Sequence, residues 1–103
     1  MSHLDDVLAY LDKNRAEARA RLFDWLKIDS ISTDPAHAAA CRDAAQWLKK
    51  DLATIGIDAE IAETGGHPAL VAQASGVSNK RALFYGHYDV QPVDPINLWE
   101  SAP

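Results

Sequence analysis

A histidine and an aspartate two residues apart, His87 and Asp89, are the side chains of this sequence best suited to chemistry. In an extended chain, residues two apart point to the same side. The carboxylate could then accept the proton of one ring nitrogen and turn the other nitrogen toward a metal ion. A partly buried histidine held by a neighbouring acid at a strand end has the same spacing, so the spacing alone leaves both interpretations open.

The residues before this pair form an almost unbroken apolar run, Ala82-Leu83-Phe84-Tyr85-Gly86, preceded by Arg81. A strand that is apolar on both faces is typical of a central strand covered on both sides. Ligand sites in α/β sheets favour the carboxyl ends of strands, and Gly86 puts no side chain in the way of such a site. His87 and Asp89 are therefore predicted to follow a buried strand.

The first third of the chain is predicted to be helical, because apolar residues recur at three- and four-residue spacing. Asn14 either separates two helices or lies within one long helix, and the pattern leaves this open. The two apolar stripes comprise Leu4, Val7, Leu8 and Leu11, followed by Ala18, Leu22, Trp25 and Leu26.

A third helix is predicted at about 35–55. Asp34 can accept the free N–H groups of its first turn, and Pro35 suits the first helical position. Gly56 can adopt the left-handed conformation that ends a helix.

After Gly56 the apolar pattern changes to a period of two, which is typical of a half-buried strand over 57–62. A Gly-rich loop over 63–68 and a second strand over 69–74 predict an antiparallel hairpin. Together with the apolar run near residue 83, the predicted order is α-α-α-β-β-β. The fold class expected is α/β, with N-terminal helices packed on a mixed β-sheet.

Length and composition restrict the function. The chain has 103 residues, which is one domain at most, and ten basic against fifteen acidic residues give a net charge of −5. The basic residues are dispersed, which argues against nucleic-acid binding. Neither a secretory signal nor a membrane-spanning run is visible. The single cysteine, Cys41, allows no intrachain disulfide, so a cytoplasmic location is expected.

The other candidate residues have ordinary structural interpretations. His67 is predicted to be exposed in a turn, and His3 and His37 are predicted to be solvated. Cys41 is predicted to be a small helix-packing residue rather than a nucleophile. Of the tryptophans, Trp25 and Trp47 are expected in the core, whereas Trp99 either lines a substrate cleft or lies on the surface.

The wider segment Gly86-His87-Tyr88-Asp89-Val90-Gln91-Pro92, followed by Leu98-Trp99-Glu100-Ser101, resembles the first metal-site motif of a zinc-dependent exopeptidase family. The family contains carnosinase-like dipeptidases, aminoacylases, carboxypeptidase G2, acetylornithine deacetylase and succinyl-diaminopimelate desuccinylase. The Val-Gln-Pro continuation is most similar to the dipeptidase branch. The paired helices, the stretch 28–32 and the Gly-His-Pro hairpin also lie where the family has such features.

The resemblance implies a site with two metal ions, usually zinc, and an activated water that attacks a peptide or amide carbonyl. His87 occupies the position of a metal ligand, and Asp89 that of the catalytic acid that orients it. The family's other metal ligands come later in its sequence. The resemblance thus implies that residues 1–103 are the N-terminal segment of a split catalytic domain, without the lid domain or C-terminal segment. This segment is expected to bind zinc weakly and to be inactive alone.

Three expectations about function and partners follow. The parent protein is expected to cleave dipeptides, with N-acyl amino acid deacylation as an alternative. No nucleic-acid or membrane partner is expected. A non-catalytic module of the same partial fold is the other alternative, because an apolar strand with an open edge at residues 82–85 would favour self-association.

Overall fold

The structure, a computed structural model, describes residues 2–103 and contains three α-helices and a β-hairpin. None of the helices in this part of the chain is long and apolar enough to cross a membrane. In chain order the elements are α1 (His3–Lys13), α2 (Arg15–Leu26), α3 (Ala38–Ala53), β1 (Ala59–Ala62) and β2 (Ala69–Ala72), with short 3-10 turns at Pro35–His37 and Ile96–Leu98.

The N-terminal third forms two helices rather than one, and Asn14 separates them. A capping box starts α1, in which the Ser2 hydroxyl accepts the Asp5 N–H at 3.2 Å and the Asp5 carboxylate accepts the Ser2 N–H at 3.1 Å. Asn14 closes α1 by donating its side-chain amide to the Tyr10 carbonyl at 2.8 Å. This local hydrogen bond competes with helix continuation and explains the break.

The expected packing of the N-terminal helices on the sheet holds only for α3. Helix α3 contacts both strands, whereas α2 contacts α3 and α1 contacts α2. The leucines and the valine of the apolar stripes of α1 and α2 consequently stay exposed, from 46% at Leu22 to 64% at Leu4, whereas Trp25 is half-buried. Among the described residues, few apolar side chains are buried, and half of them lie on α3: Ile31, Cys41, Ala44, Ala45, Ala59 and Pro68.

The residues predicted to cap the third helix are confirmed, although α3 covers 38–53 rather than about 35–55. The Asp34 carboxylate accepts the Ala36 N–H at 2.9 Å, and Pro35 begins a 3-10 turn that leads into α3. Beyond α3, Gly56 has a φ of 77°, the left-handed conformation that the sequence predicted. Both ends are determined by residues close in sequence, so they were predictable.

The predicted hairpin is also confirmed. Strands β1 and β2 are antiparallel, with Ala59 opposite Ala72 and Ala62 opposite Ala69. Each strand is shorter than the sequence pattern suggested, by two residues at the start of β1 and two at the end of β2. The α/β class is confirmed, but the sheet is a two-stranded antiparallel one rather than a mixed one.

The prediction of a central strand around residue 83 is wrong for this chain. The apolar segment (residues 82–85) pairs with no strand in residues 2–103, and Leu83, Phe84 and Tyr85 are each more than 90% exposed. A strand needs the backbone of a neighbour for its hydrogen bonds, and an apolar pattern cannot supply one. A parallel bridge between Ile31 and Val90 is the nearest sheet-like contact along this stretch.

We expect Gly56→Ala to destabilise the chain, because an L-residue pays about 1–2 kcal/mol in the left-handed conformation. A Cβ at Gly56 or at Gly76 would meet nothing within 4 Å, but only Gly56 has a positive φ. Gly76→Ala is therefore a matched control. Urea unfolding should give a loss of about 1 kcal/mol or more for Gly56→Ala and almost none for Gly76→Ala. Equal stability of the two variants would contradict this role of Gly56.

Candidate functional site

The segment that carries the predicted site residues is fixed to the loop before α3. Ser30, which is 1% exposed, donates its hydroxyl to the Tyr88 carbonyl at 2.9 Å. The Val90 N–H donates to the Ser30 carbonyl at 3.0 Å, next to the bridge between Ile31 and Val90. The backbone on both sides of Asp89 is therefore held, although the apolar segment before it is not.

His87 and Asp89 lie together as predicted, with 2.7 Å between His87 Nδ1 and Asp89 Oδ1. The second carboxylate oxygen, Oδ2, accepts the Ser32 hydroxyl at 2.6 Å. The hydrogen bond from Ser32, and after it the one from His87, lowers the pKa of Asp89. An ionised carboxylate can only accept, so His87 Nδ1 is the donor.

This contact leaves His87 Nε2 available as a ligand. With the proton on Nδ1, the neutral ring carries its lone pair on Nε2, which forms no hydrogen bond with any described residue. The His87 side chain is 74% exposed and that of Asp89 is 39% exposed. The pair thus has the arrangement of a metal-binding histidine with its carboxylate, in which the carboxylate fixes both the tautomer and the ring.

A cavity of about 860 Å³ lies beside this pair. Its walls come from α2, α3, the hairpin and the segment that leads to Asp89, and most of them are apolar. The lining residues are Trp25, Ser32, Leu48, Leu52, His67, Pro68, Ala69, Leu70, Phe84, Tyr85, Gly86, His87, Tyr88 and Asp89. A mostly apolar cleft that contains a few polar groups is typical of small-molecule sites.

His67 belongs to this site, and the prediction of an exposed turn residue is wrong. It is half-buried, and its Nε2 donates to the Ser32 carbonyl at 2.8 Å. Its neighbour Pro68 accepts the Tyr88 hydroxyl at 2.6 Å, and burial raises the pKa of Tyr88. Since 35 residues separate His67 from Ser32, no local pattern could have revealed the contact.

The remaining histidines and the cysteine lie outside the cavity lining. His3 is exposed on α1. His37 is more enclosed than predicted, because its ring contacts the carboxylates of Asp34 at 3.0 Å and Asp29 at 3.3 Å. Cys41 is fully buried, as the packing interpretation predicted, and burial raises the pKa of its thiol. A buried, protonated thiol is not a nucleophile.

The tryptophans take two different roles. Trp25 and Trp47 stack across α2 and α3 with ring centroids 6.3 Å apart, although both remain partly exposed. Trp99 is 51% exposed, donates its Nε1 proton to the Val93 carbonyl at 2.7 Å and does not line the cavity. Of the two alternatives for Trp99, the surface position is the one observed.

The donor set fits part of a metal site. His87 Nε2 is an imidazole donor of the type that Zn²⁺ accepts. Yet within residues 2–103 no three His, Cys, Asp or Glu side chains lie close enough together to hold a metal ion. A catalytic zinc takes about three protein ligands, so these residues could supply at most one ligand and the carboxylate that supports it.

Comparison with known proteins connects this geometry to dipeptidases, although no protein-family model matches the chain. It is 27% identical to the Cys-Gly metallodipeptidase DUG1 of Saccharomyces cerevisiae over 100% of this chain and 24% of that protein. It is 27% identical to the Beta-Ala-His dipeptidase of Homo sapiens over 97% of this chain and 22% of that protein. The chain thus spans about a quarter of the length of these relatives.

A solved structure of the yeast di-peptidase Dug1p has the same fold over this region. It matches with a TM-score of 0.86 at 25% identity, covering 98% of this chain and 24% of that one. The resemblance suggested by Gly86–Pro92 is therefore confirmed along nearly the whole chain. The chain is similar, over nearly its whole length, to about one quarter of the length of proteins named Cys-Gly metallodipeptidase and Beta-Ala-His dipeptidase.

Proposed function

We propose that this chain is the part of a metal-dependent dipeptidase that contributes the metal ligand His87 and its orienting carboxylate, Asp89. The observation that carries the proposal is the 2.7 Å contact between His87 Nδ1 and Asp89 Oδ1, two residues that line the cavity. The similarity to proteins named metallodipeptidases supports it. On this proposal, residues 1–103 are the N-terminal segment of a split catalytic domain.

In this proposal, the residues of the chain bind the metal ion and orient its histidine ligand. His87 Nε2 would hold a metal ion, which we propose to be zinc, and Asp89 would keep the proton on Nδ1 and the ring in place. When bound, such an ion lowers the pKa of a water molecule and polarises a carbonyl group. The apolar walls of the cavity, among them Leu48 and Leu52, would exclude water from a bound substrate.

The proposed substrates are dipeptides. A cavity of about 860 Å³ is in the range of small-molecule sites. The relatives' names specify Cys-Gly and Beta-Ala-His for those proteins, and dipeptides as a class are what we extend to this one. Deacylation of N-acyl amino acids is the alternative, and it differs in that the substrate has no free α-amino group.

We propose the cytoplasm as the location and no nucleic-acid or membrane partner. Cys41 is a free, buried thiol, which is consistent with a reducing compartment. The net charge of −5 disfavours polyanions such as nucleic acids and acidic membrane surfaces.

In the product of the whole reading frame that contains residues 1–103, His87→Ala should remove metal-dependent dipeptide hydrolysis. Asp89→Asn should weaken metal binding about 10- to 100-fold, the usual effect of losing a carboxylate that supports a ligand. Chelator-sensitive dipeptide cleavage and metal titration measure these effects, and the exposed His3 provides a control variant, His3→Ala. Unchanged hydrolysis in His87→Ala would overturn the proposal, and cleavage of N-acyl amino acids alone would favour the alternative.

Residues 1–103 without further sequence should bind zinc only weakly and cleave no dipeptide. The reason is the number of ligands. Within the described residues, His87 belongs to no group of three His, Cys, Asp or Glu side chains that could hold a metal ion. Calorimetric titration with zinc should give a Kd of about 1 μM or higher. The free energy of zinc binding should then be no more favourable than about −8 kcal/mol. Tight one-to-one zinc binding together with peptide cleavage would contradict this expectation.

A second candidate function, self-association, is favoured by the apolar segment. We propose that it pairs with the same segment of a second copy. Leu83, Phe84 and Tyr85 are 95%, 92% and 92% exposed, and no strand of residues 2–103 hydrogen-bonds to them. Extended backbone with open hydrogen-bonding groups is a template for another strand.

Charge complementarity favours a second copy as the occupant. Lys80 and Arg81 precede the apolar segment, and Asp89 follows it. In an antiparallel pair centred near Phe84 and Tyr85, the basic start of one segment lies alongside the acidic end of the other. The apolar residues of the two copies would then meet in the middle of the pair.

Sedimentation velocity across a concentration series should show a reversible dimer that Phe84→Lys weakens at least tenfold. Burying a Phe side chain contributes about 1.5–3 kcal/mol, and 1.4 kcal/mol corresponds to a factor of ten. Val77, fully exposed outside the apolar segment, gives the control Val77→Lys. A strictly monomeric wild-type chain at high concentration would overturn this candidate.

A further inference from the structure

We propose that Ser32 is a positioning residue for metal binding by His87, acting through the carboxylate of Asp89, and that His67 holds Ser32 in place for this purpose. The inference rests on the proposed function. It adds two residues that lie 55 and 20 positions before His87 in the sequence. The hydrogen bonds that link them form one continuous path to the ring.

The hydroxyl of Ser32 fixes the carboxylate that fixes the ring. Ser32 Oγ donates to Asp89 Oδ2 at 2.6 Å, while Asp89 Oδ1 accepts His87 Nδ1 at 2.7 Å. One carboxylate oxygen is therefore anchored to the loop before α3 and the other to the ligand. A carboxylate with both oxygens engaged has a defined plane, and that plane sets the direction of His87 Nε2.

The backbone of Ser32 is itself held by a residue of the hairpin loop. His67 Nε2 donates to the Ser32 carbonyl at 2.8 Å. Ser30, two residues earlier on the same loop, is joined to Tyr88 and Val90 by two further hydrogen bonds. The hydroxyl of Ser32 thus belongs to a loop that is fixed both to the hairpin and to the segment 88–90, which contains Asp89.

The role of Ser32 can be separated from the role of the fold. The hydrogen bonds of Ser30 and the bridge between Ile31 and Val90 hold the backbone, and none of them uses the Ser32 hydroxyl. His87 is 74% exposed, and the bond to Asp89 is the one hydrogen bond its ring forms within the described chain. Loss of the hydroxyl would therefore leave the loop in place and free the carboxylate to rotate.

The first test measures the tautomer of His87 at a fixed pH of about 8, where imidazoles are neutral. Ring ¹⁵N spectra of the wild-type chain should show the Nδ1–H form. Ser32→Ala should shift the population toward the Nε2–H form, whereas Ser32→Thr, which keeps a hydroxyl, should preserve it. His67→Ala should produce a smaller shift in the same direction, and Ser75→Ala, at an exposed serine, none.

A wild-type spectrum preserved in Ser32→Ala would overturn the inference. Near-ultraviolet circular dichroism of the stacked Trp25 and Trp47 serves as the check on folding. If Ser32→Ala loses that signal, Ser32→Cys replaces it as a folded variant with a weaker donor. The same shift toward Nε2–H is then required of Ser32→Cys.

The second test uses metal affinity in the product of the whole reading frame. Competition with a chromophoric chelator should show Ser32→Ala binding zinc about tenfold more weakly than the wild type and than Ser75→Ala. If His87→Ala weakens binding and Ser32→Ala does not, the proposed function stands and the inference is overturned. If His87→Ala itself has no effect on affinity, the proposed function fails, and the metal-binding part of the inference fails with it.

Discussion

The carboxylate of Asp89 is the group on which the site depends. One oxygen accepts the His87 ring and the other accepts the Ser32 hydroxyl, so the side chain is bonded on both sides. These bonds favour the ionised form and lower the pKa of Asp89, with Ser32 as the larger cause. Because an ionised carboxylate accepts only, the protonation of the His87 ring follows from the geometry.

The fold holds this carboxylate with few buried residues. Small side chains on α3, Cys41, Ala44 and Ala45, are fully buried and let the helix pack closely on its neighbours. Ser30 ties the loop before α3 to Tyr88, and the Tyr88 hydroxyl reaches the carbonyl of Pro68 beside the hairpin. Tyr88, next to Asp89, is thus held by the loop before α3 and by the hairpin, both of which are distant from it in sequence.

Local features of the fold were predictable from the sequence. The Asp34 cap, the left-handed Gly56 and the antiparallel hairpin each depend on residues close together in the chain, and each is observed. The contact between His87 and Asp89 is also local, because the two residues lie two positions apart in the chain. The resemblance of Gly86–Pro92 to a metal-site motif is the source of the prediction that this pair binds a metal ion.

Long-range features were not predictable. His67 reaches Ser32 across 35 residues and Ser32 reaches Asp89 across 57, and neither contact has a periodic signature. The apolar segment shows the opposite error, because its composition predicts burial while the described chain offers it no partner strand. An apolar composition indicates that a segment favours burial. It does not show whether a neighbouring strand or helix is present to cover that segment.

Direct detection of the metal–nitrogen bond would test the role of His87 most sharply. The product of the whole reading frame, labelled with ¹⁵N and loaded with ¹¹³Cd²⁺ in place of zinc, should show scalar coupling between the metal and His87 Nε2. The Nδ1 proton should remain in the same spectrum, held by Asp89. Coupling through Nδ1, or no coupling to His87 at all, would contradict the arrangement in which Asp89 orients His87 toward the metal.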